Sequence, residues 1–134
     1  VSSDLLNEYR KKFTLLLKTT TVTGAQSNQS ILAVSQKHLM DDTEVTDEDA
    51  EWIVVEAMVE MTGAGTFVFT DGTAAIHSSV TLIANQPLYI HGPLKAGIGK
   101  PLACTTTGAF NTKLDVWAVQ RCYRLSKPAK TIGT

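Results

Sequence analysis

What most restricts the fold of this sequence is how its apolar residues are parcelled between Trp52 and Tyr123. They come in short pieces bounded by Gly, Pro or Asp-Gly, and no piece has the length of an ordinary helix. Residues 53–61 carry Val55, Ala57, Val59 and Met61 on one side of a two-residue period, with Glu56 and Glu60 on the other. Gly63-Ala64-Gly65 ends that piece, residues 66–70 begin the next, and Asp71-Gly72 is a strong hairpin signal. Ala75-Ile76 and residues 79–83, 88–90, 102–106 and 114–123 follow as further strands. Strands at roughly 8–12-residue spacing predict an antiparallel sandwich or barrel. No strand alternates with a long helix, which argues against a doubly wound α/β fold.

The N-terminal part reads differently. Leu5, Leu6, Tyr9, Phe13, Leu16 and Leu17 fall on one face of a 3.6-residue period. Ser3 suits an N-cap, and Asp4 precedes Arg10, Lys11, Lys12 and Lys18 in the order the helix dipole favours. The spacing predicts an amphipathic helix ending before Thr20. The competing reading is a strand over residues 13–22, because Thr19-Thr20-Thr21-Val22 is β-prone. Residues 19–30 are Thr, Ser, Gln, Asn and Gly with almost no apolar periodicity, and read as an arm. Residues 31–40 fit a strand or a helical turn equally. The expected organisation is a helix and arm over 1–30, a β-sandwich domain over 31–125 and a tail over 126–134. So short a helix needs a surface to dock on, and Leu5, Tyr9, Phe13 and Leu16 are its expected contacts.

Composition narrows the class of protein. The 134 residues suit one domain, and 43% hydrophobic content can fill one core. Twelve Lys and Arg against thirteen Asp and Glu leave a net charge of −1, which gives no global field toward nucleic acid. No apolar run approaches the ~20 residues of a membrane-spanning helix. Two cysteines, Cys104 and Cys122, do not make a disulfide scaffold.

Motifs for chemistry fail on inspection. Gly97-Ile98-Gly99-Lys100 lacks the first glycine of a phosphate loop, where Leu94 stands, and Pro101 replaces the hydroxyl residue after the lysine. A β-turn with a solvated lysine is expected. Seven of the thirteen acids lie in residues 41–51, but no central glycine gives them calcium-loop spacing. Thr46 followed by Asp49 suits a capped short helix over 47–52. His38, His77 and His91 are scattered without zinc-ligand spacing, and no nucleophile elbow is present. A hairpin turn at 108–112 would place Cys104 opposite residue 116 rather than Cys122, leaving buried free thiols as the expectation. No catalytic, cofactor-binding or metal residue is expected, and the chain is read as a non-enzyme.

From Trp52 to Arg121 the order of features resembles a group of small β-sandwich virion proteins of tailed bacteriophages. The residues that carry it are Ile53-Val54-Val55-Glu56-Ala57-Met58-Val59, Gly63-Ala64-Gly65-Thr66-Phe67-Val68-Phe69 and Asp71-Gly72-Thr73. Leu88-Tyr89-Ile90-His91-Gly92-Pro93-Leu94, Gly97-Ile98-Gly99-Lys100-Pro101-Leu102, Thr106-Thr107-Gly108-Ala109-Phe110 and Asp115-Val116-Trp117-Ala118-Val119 complete it. The resemblance implies a jelly-roll-like sandwich, commonly trimeric, on the head or neck of the particle. The expected partner is the major capsid protein or another virion protein. The expected location is the surface of the mature phage, after synthesis in the bacterial cytoplasm. A head decoration subunit leads, ahead of a collar, neck or tail component and a carbohydrate-binding fibre tip.

Two features point to contact surfaces. Trp117 and Val119 alternate with Val116 and Ala118, so both faces of the last strand are apolar, whereas one core buries only one. A homotrimer through the β-domain is therefore expected, with Trp117 in the contact. Arg121 and Arg124 belong to a basic C-terminal stretch with Lys113, Lys127 and Lys130, which suits contact with nucleic acid or, at least as well, with the acidic residues 41–51 of a neighbouring copy.

Overall fold

A computed structural model describes residues 13–33 and 50–122 of the chain. They form eight strands: β1 (Phe13–Thr23), β2 (Gln26–Leu32), β3 (Ala50–Met61), β4 (Gly65–Thr70), β5 (Val80–Leu82), β6 (Leu88–Lys95), β7 (Leu102–Thr106) and β8 (Asn111–Cys122). Two four-stranded sheets result, in the orders β1-β8-β3-β6 and β2-β7-β4-β5, and every pairing is antiparallel. Each strand of the first half of the chain therefore pairs with one of the second half: β1 with β8, β2 with β7, β3 with β6, β4 with β5.

Alternation explains the core. Val54, Ala57, Val59 and Met61 of β3 and Leu114, Val116 and Ala118 of β8 face inward, and Phe67, Phe69, Leu82, Leu102 and Cys104 meet them from the other sheet. Phe67 and Phe69, two residues apart on one face of β4, pack edge to face with ring centroids 4.9 Å apart. Trp52 is buried too, and its indole N–H donates to the Ala33 carbonyl at 3.0 Å.

The N-terminal helix is corrected where it falls on described residues; its part over 3–12 lies outside them. Its last residues, 13–18, are strand, and so are Thr19 to Thr23 of the expected arm. β1 pairs residue by residue with β8 from Phe13↔Arg121 to Thr23↔Asn111, a ladder that outweighs a helical period only four turns long. The rest of the arm supplies β2 in the opposite sheet. The chain crosses between sheets at Gly24, whose φ of +71° suits a residue without a side chain. The buried Thr106 hydroxyl clips this crossing, donating to the Gly24 carbonyl and accepting the Gln26 N–H, both at 3.0 Å. Residues 50–52 of the expected short helix are also strand, while its first part lies outside the described residues.

A second correction concerns β3. Val55 does not share a face with Ala57. The register slips between Val54 and Glu56, a bulge that turns Val54 into the core and Val55 outward. Gly92 of β6 lies against the Val54 carbonyl at this point, where an added Cβ would collide with the backbone. The bulge and the glycine are thus one device. Gly92→Ala is expected to destabilise the fold by about 1–3 kcal/mol, the usual cost of forcing atoms into a packed site. Denaturant melts of the two proteins, compared at equal slope, check this.

Candidate functional site

The outer face of β1-β8-β3-β6 is the surface that burial does not explain. Leu17 (47% exposed), Val55 (46%), Tyr89 (58%) and Trp117 (41%) are all large apolar residues left in solvent there. Register lays them out as rows across the sheet. Leu17, Trp117, Glu56 and His91 form one row, and Thr19, Asp115, Met58 and Tyr89 the next. Glu56, Met58, Tyr89, Asp115 and Trp117 enclose a shallow groove of about 210 Å³. Its wall is two carboxylates, two aromatic rings and a thioether. His91 Nδ1 lies 3.2 Å from Glu56 Oε1 at its margin, both groups being exposed.

The outer face of the other sheet is different in kind. Thr66, Val68, Thr81 and Thr105 alternate with the inward Phe67, Phe69 and Leu82. Where the β2·β7 register slips, the Thr105 hydroxyl accepts the Asn28 N–H at 3.1 Å in place of a ladder bond. Thr66 and Thr107 share a 2.6 Å hydroxyl contact. One outer face is a threonine surface and the other an apolar–acidic one.

The residues expected to make contacts divide accordingly. Trp117 stands at the centre of the apolar face. Arg121 lies on the same strand, directly across from Glu51 of β3. Leu16 is drawn inward and packs on the core, so on this strand the exposed residue is its neighbour Leu17. Phe13 opens β1 opposite Arg121. Leu5, Tyr9 and Arg124 lie outside the described residues. The sequence reading missed Tyr89, Met58 and Leu17 as a group; a two-residue period carried across register partners joins them once the strand order is known.

The titratable groups do not converge. Among the described residues, no three of His, Cys, Asp and Glu come together as a metal site would require. Asp71 closes the turn after β4, its Oδ1 accepting from Thr73 N–H and Oγ1 at 2.9 Å and from Ala74 N–H at 2.7 Å. The Ala74 and Thr73 backbone bonds, then the Thr73 hydroxyl, hold its pKa down at about 2. Cys104 is a free thiol that burial pushes up to about 12, which leaves it unreactive. Its strand pairs with β4 and β2, not with β8, so Cys104 sits across from Phe69 rather than residue 116. Lys100 is exposed in the expected turn, its N–H bonded to the Gly97 carbonyl at 3.2 Å. His38 lies outside the described residues.

No protein-family model and no curated protein matches this chain. Solved structures give distant likenesses. A protein of the disulfide-linked pili of Bacillus endospore appendages is 13% identical, with a TM-score of 0.48 over 84% of this chain and 89% of that one. The Clostridium thermocellum xylanase 10B CBM22-1–GH10 modules, complexed with xylohexaose, are 13% identical, with a TM-score of 0.41 over 83% and 26%. Tobacco streak virus coat protein is 8% identical, with a TM-score of 0.37 over 78% and 85%. Two further likenesses of the same order are to viral particle proteins. At TM-scores under 0.5 these neighbours assign no function to the chain.

His77 supplies a pH test of the scaffold beneath the site. It follows the β4 turn, and its Nε2 accepts the Phe69 N–H at 2.9 Å, a bond that needs the unprotonated ring. Burial lowers its pKa below the ordinary 6.5, partly offset by a hydrogen bond with the Ser78 backbone. The unfolded chain therefore takes up the proton first. Its contribution to stability is full above pH 6.5 and is lost as pH falls toward the lowered pKa. Melts of His77→Gln and of the unaltered protein should converge as pH falls from about 7 to 5. Parallel curves would show that His77 does not titrate on unfolding.

Proposed function

We propose that this chain is a non-enzymatic structural subunit of a virus particle, and that its sandwich is a jelly roll. The pairing β1·β8, β2·β7, β3·β6 and β4·β5 in two four-stranded sheets supports the jelly-roll reading, an architecture used by viral capsid and lectin domains alike. Fold alone does not choose among these roles. The observation that carries the proposal is the contrast between the two outer faces. The threonine face has one large exposed apolar residue, Ile83 just past β5 at its edge, whereas Leu17, Val55, Tyr89 and Trp117 together form an apolar area that a partner would bury. The partner is first another copy of the chain, in a trimer, and then a capsid protein beneath it. The outside of a tailed-phage head is the position we favour, with the collar, neck or tail as the alternative.

A saccharide-binding fibre tip is the second reading, favoured by the Trp117 and Tyr89 rings beside Glu56 and Asp115. It ranks second because the exposed apolar area extends past the groove to Leu17 and Val55.

Sedimentation of the full chain tests the assembly reading. A trimer at tens of micromolar is expected, with Trp117→Glu and Leu17→Glu each shifting it to monomer while leaving the circular dichroism spectrum unchanged. A plain monomer for the unaltered chain, or trimers that survive both substitutions, would refute assembly through this face.

A further inference from the structure

We infer that the groove between Trp117, Tyr89, Met58, Glu56 and Asp115 receives the basic C-terminal segment, residues 123–134, of a neighbouring copy. This rests on the assembly reading and names what occupies the centre of the contact. The groove holds two negative side chains and no positive one. Residues 123–134 hold Arg124, Lys127 and Lys130 and no acid. Cations bearing long apolar stems suit a groove of this make-up: the stems lie on Met58 and the rings, and the charged heads meet the ring faces and carboxylates.

The neighbour's segment fits better than the chain's own. β8 carries the chain away from the groove, and Cys122 lies five residues beyond Trp117, a distance of about 17 Å along a strand. The chain's own segment would have to reverse over Val119 and Arg121 to return, whereas a segment from a copy facing the sheet needs no reversal. Each single contact is weak because the groove is open and the charges are screened by salt. Holding takes a segment already brought near by the rest of the interface, at the ~millimolar effective concentrations that tethering supplies.

The test uses the full chain with two sets of changes. One is the segment variant Arg124→Glu, Lys127→Glu and Lys130→Glu; the other is the groove variant Glu56→Gln with Asp115→Asn. Each should raise the concentration at which the oligomer dissociates by about tenfold at low salt, less at high salt. Iodide should reach Trp117 more easily in both. Combining the two sets should add little beyond either alone, because both remove one contact. A peptide of residues 121–134, supplied at the ~millimolar concentrations that tethering would otherwise provide, should bind the segment variant, whose groove is intact, and fail to bind the groove variant. Fully additive effects, or peptide binding indifferent to the groove changes, would overturn the inference. So would protection of Trp117 that does not depend on protein concentration, the mark of a segment folded on its own chain. If Trp117→Glu dissociates the oligomer while both charge variants leave it intact, the inference fails and the assembly reading stands. If the oligomer survives both Trp117→Glu and Leu17→Glu, the assembly reading fails and the inference with it.

Discussion

The molecule depends on β8 lying between β1 and β3. That strand takes a ladder on each side, with β1 from Phe13↔Arg121 to Thr23↔Asn111 and with β3 from Ala50↔Cys122 to Met61↔Thr112. Its inward residues, Leu114, Val116 and Ala118, have no measurable exposure, and they meet the phenylalanines of β4 across the core. A central strand with both ladders filled has no backbone groups left for solvent, so its outward side chains are what it can offer a partner. Trp117 and Asp115 are among those side chains, with Lys113 and Val119 beside them on the strand.

The bulge in β3 connects fold to surface. Had the strict alternation of residues 53–61 held, Val55 would lie in the core and β3 would present Glu56, Met58 and Glu60 outward. The slip beside Gly92 sends Val55 outward and keeps Val54 with Ala57 and Val59 inside. The same irregularity that bends the strand thus adds an apolar residue next to Trp117's row. Bulges often re-aim a side chain in this way.

Legibility in the sequence followed how local the signal was. β3 could be read because a buried strand with one polar side writes a two-residue period into its own residues, β4 because Asp71-Gly72 marks its turn with a side-chain acceptor, and β8 because its apolar run follows the turn at 108–112. β1 could not. Phe13, Leu16 and Leu17 fit a helical face shared with Leu5, Leu6 and Tyr9 as well as a strand, and only pairing with β8, roughly a hundred residues later, decides between them. β2 is polar because it is an edge strand whose ladder is completed partly by threonine hydroxyls, so its composition resembled an arm. The groove was illegible for the same reason: Trp117, Met58 and Tyr89 are neighbours only across strands, and register is a property of the sheet rather than of any segment.

Pairing the first strand with the last also orders events in time. β4 and β5 are near in sequence, with Gly65 opposite Leu82, and close a short loop that any folding chain can sample early. β1 has no partner until β8 exists, so on a ribosome it emerges long before the strand that protects its backbone. Topologies of such long-range contact fold in about milliseconds to seconds rather than microseconds. During that interval the edge of β1, with its run of leucines and threonines, is available to other chains. A chain made in many copies at once would meet its own kind while still incomplete, and the rate of making β8 would set how much of it reaches the native fold.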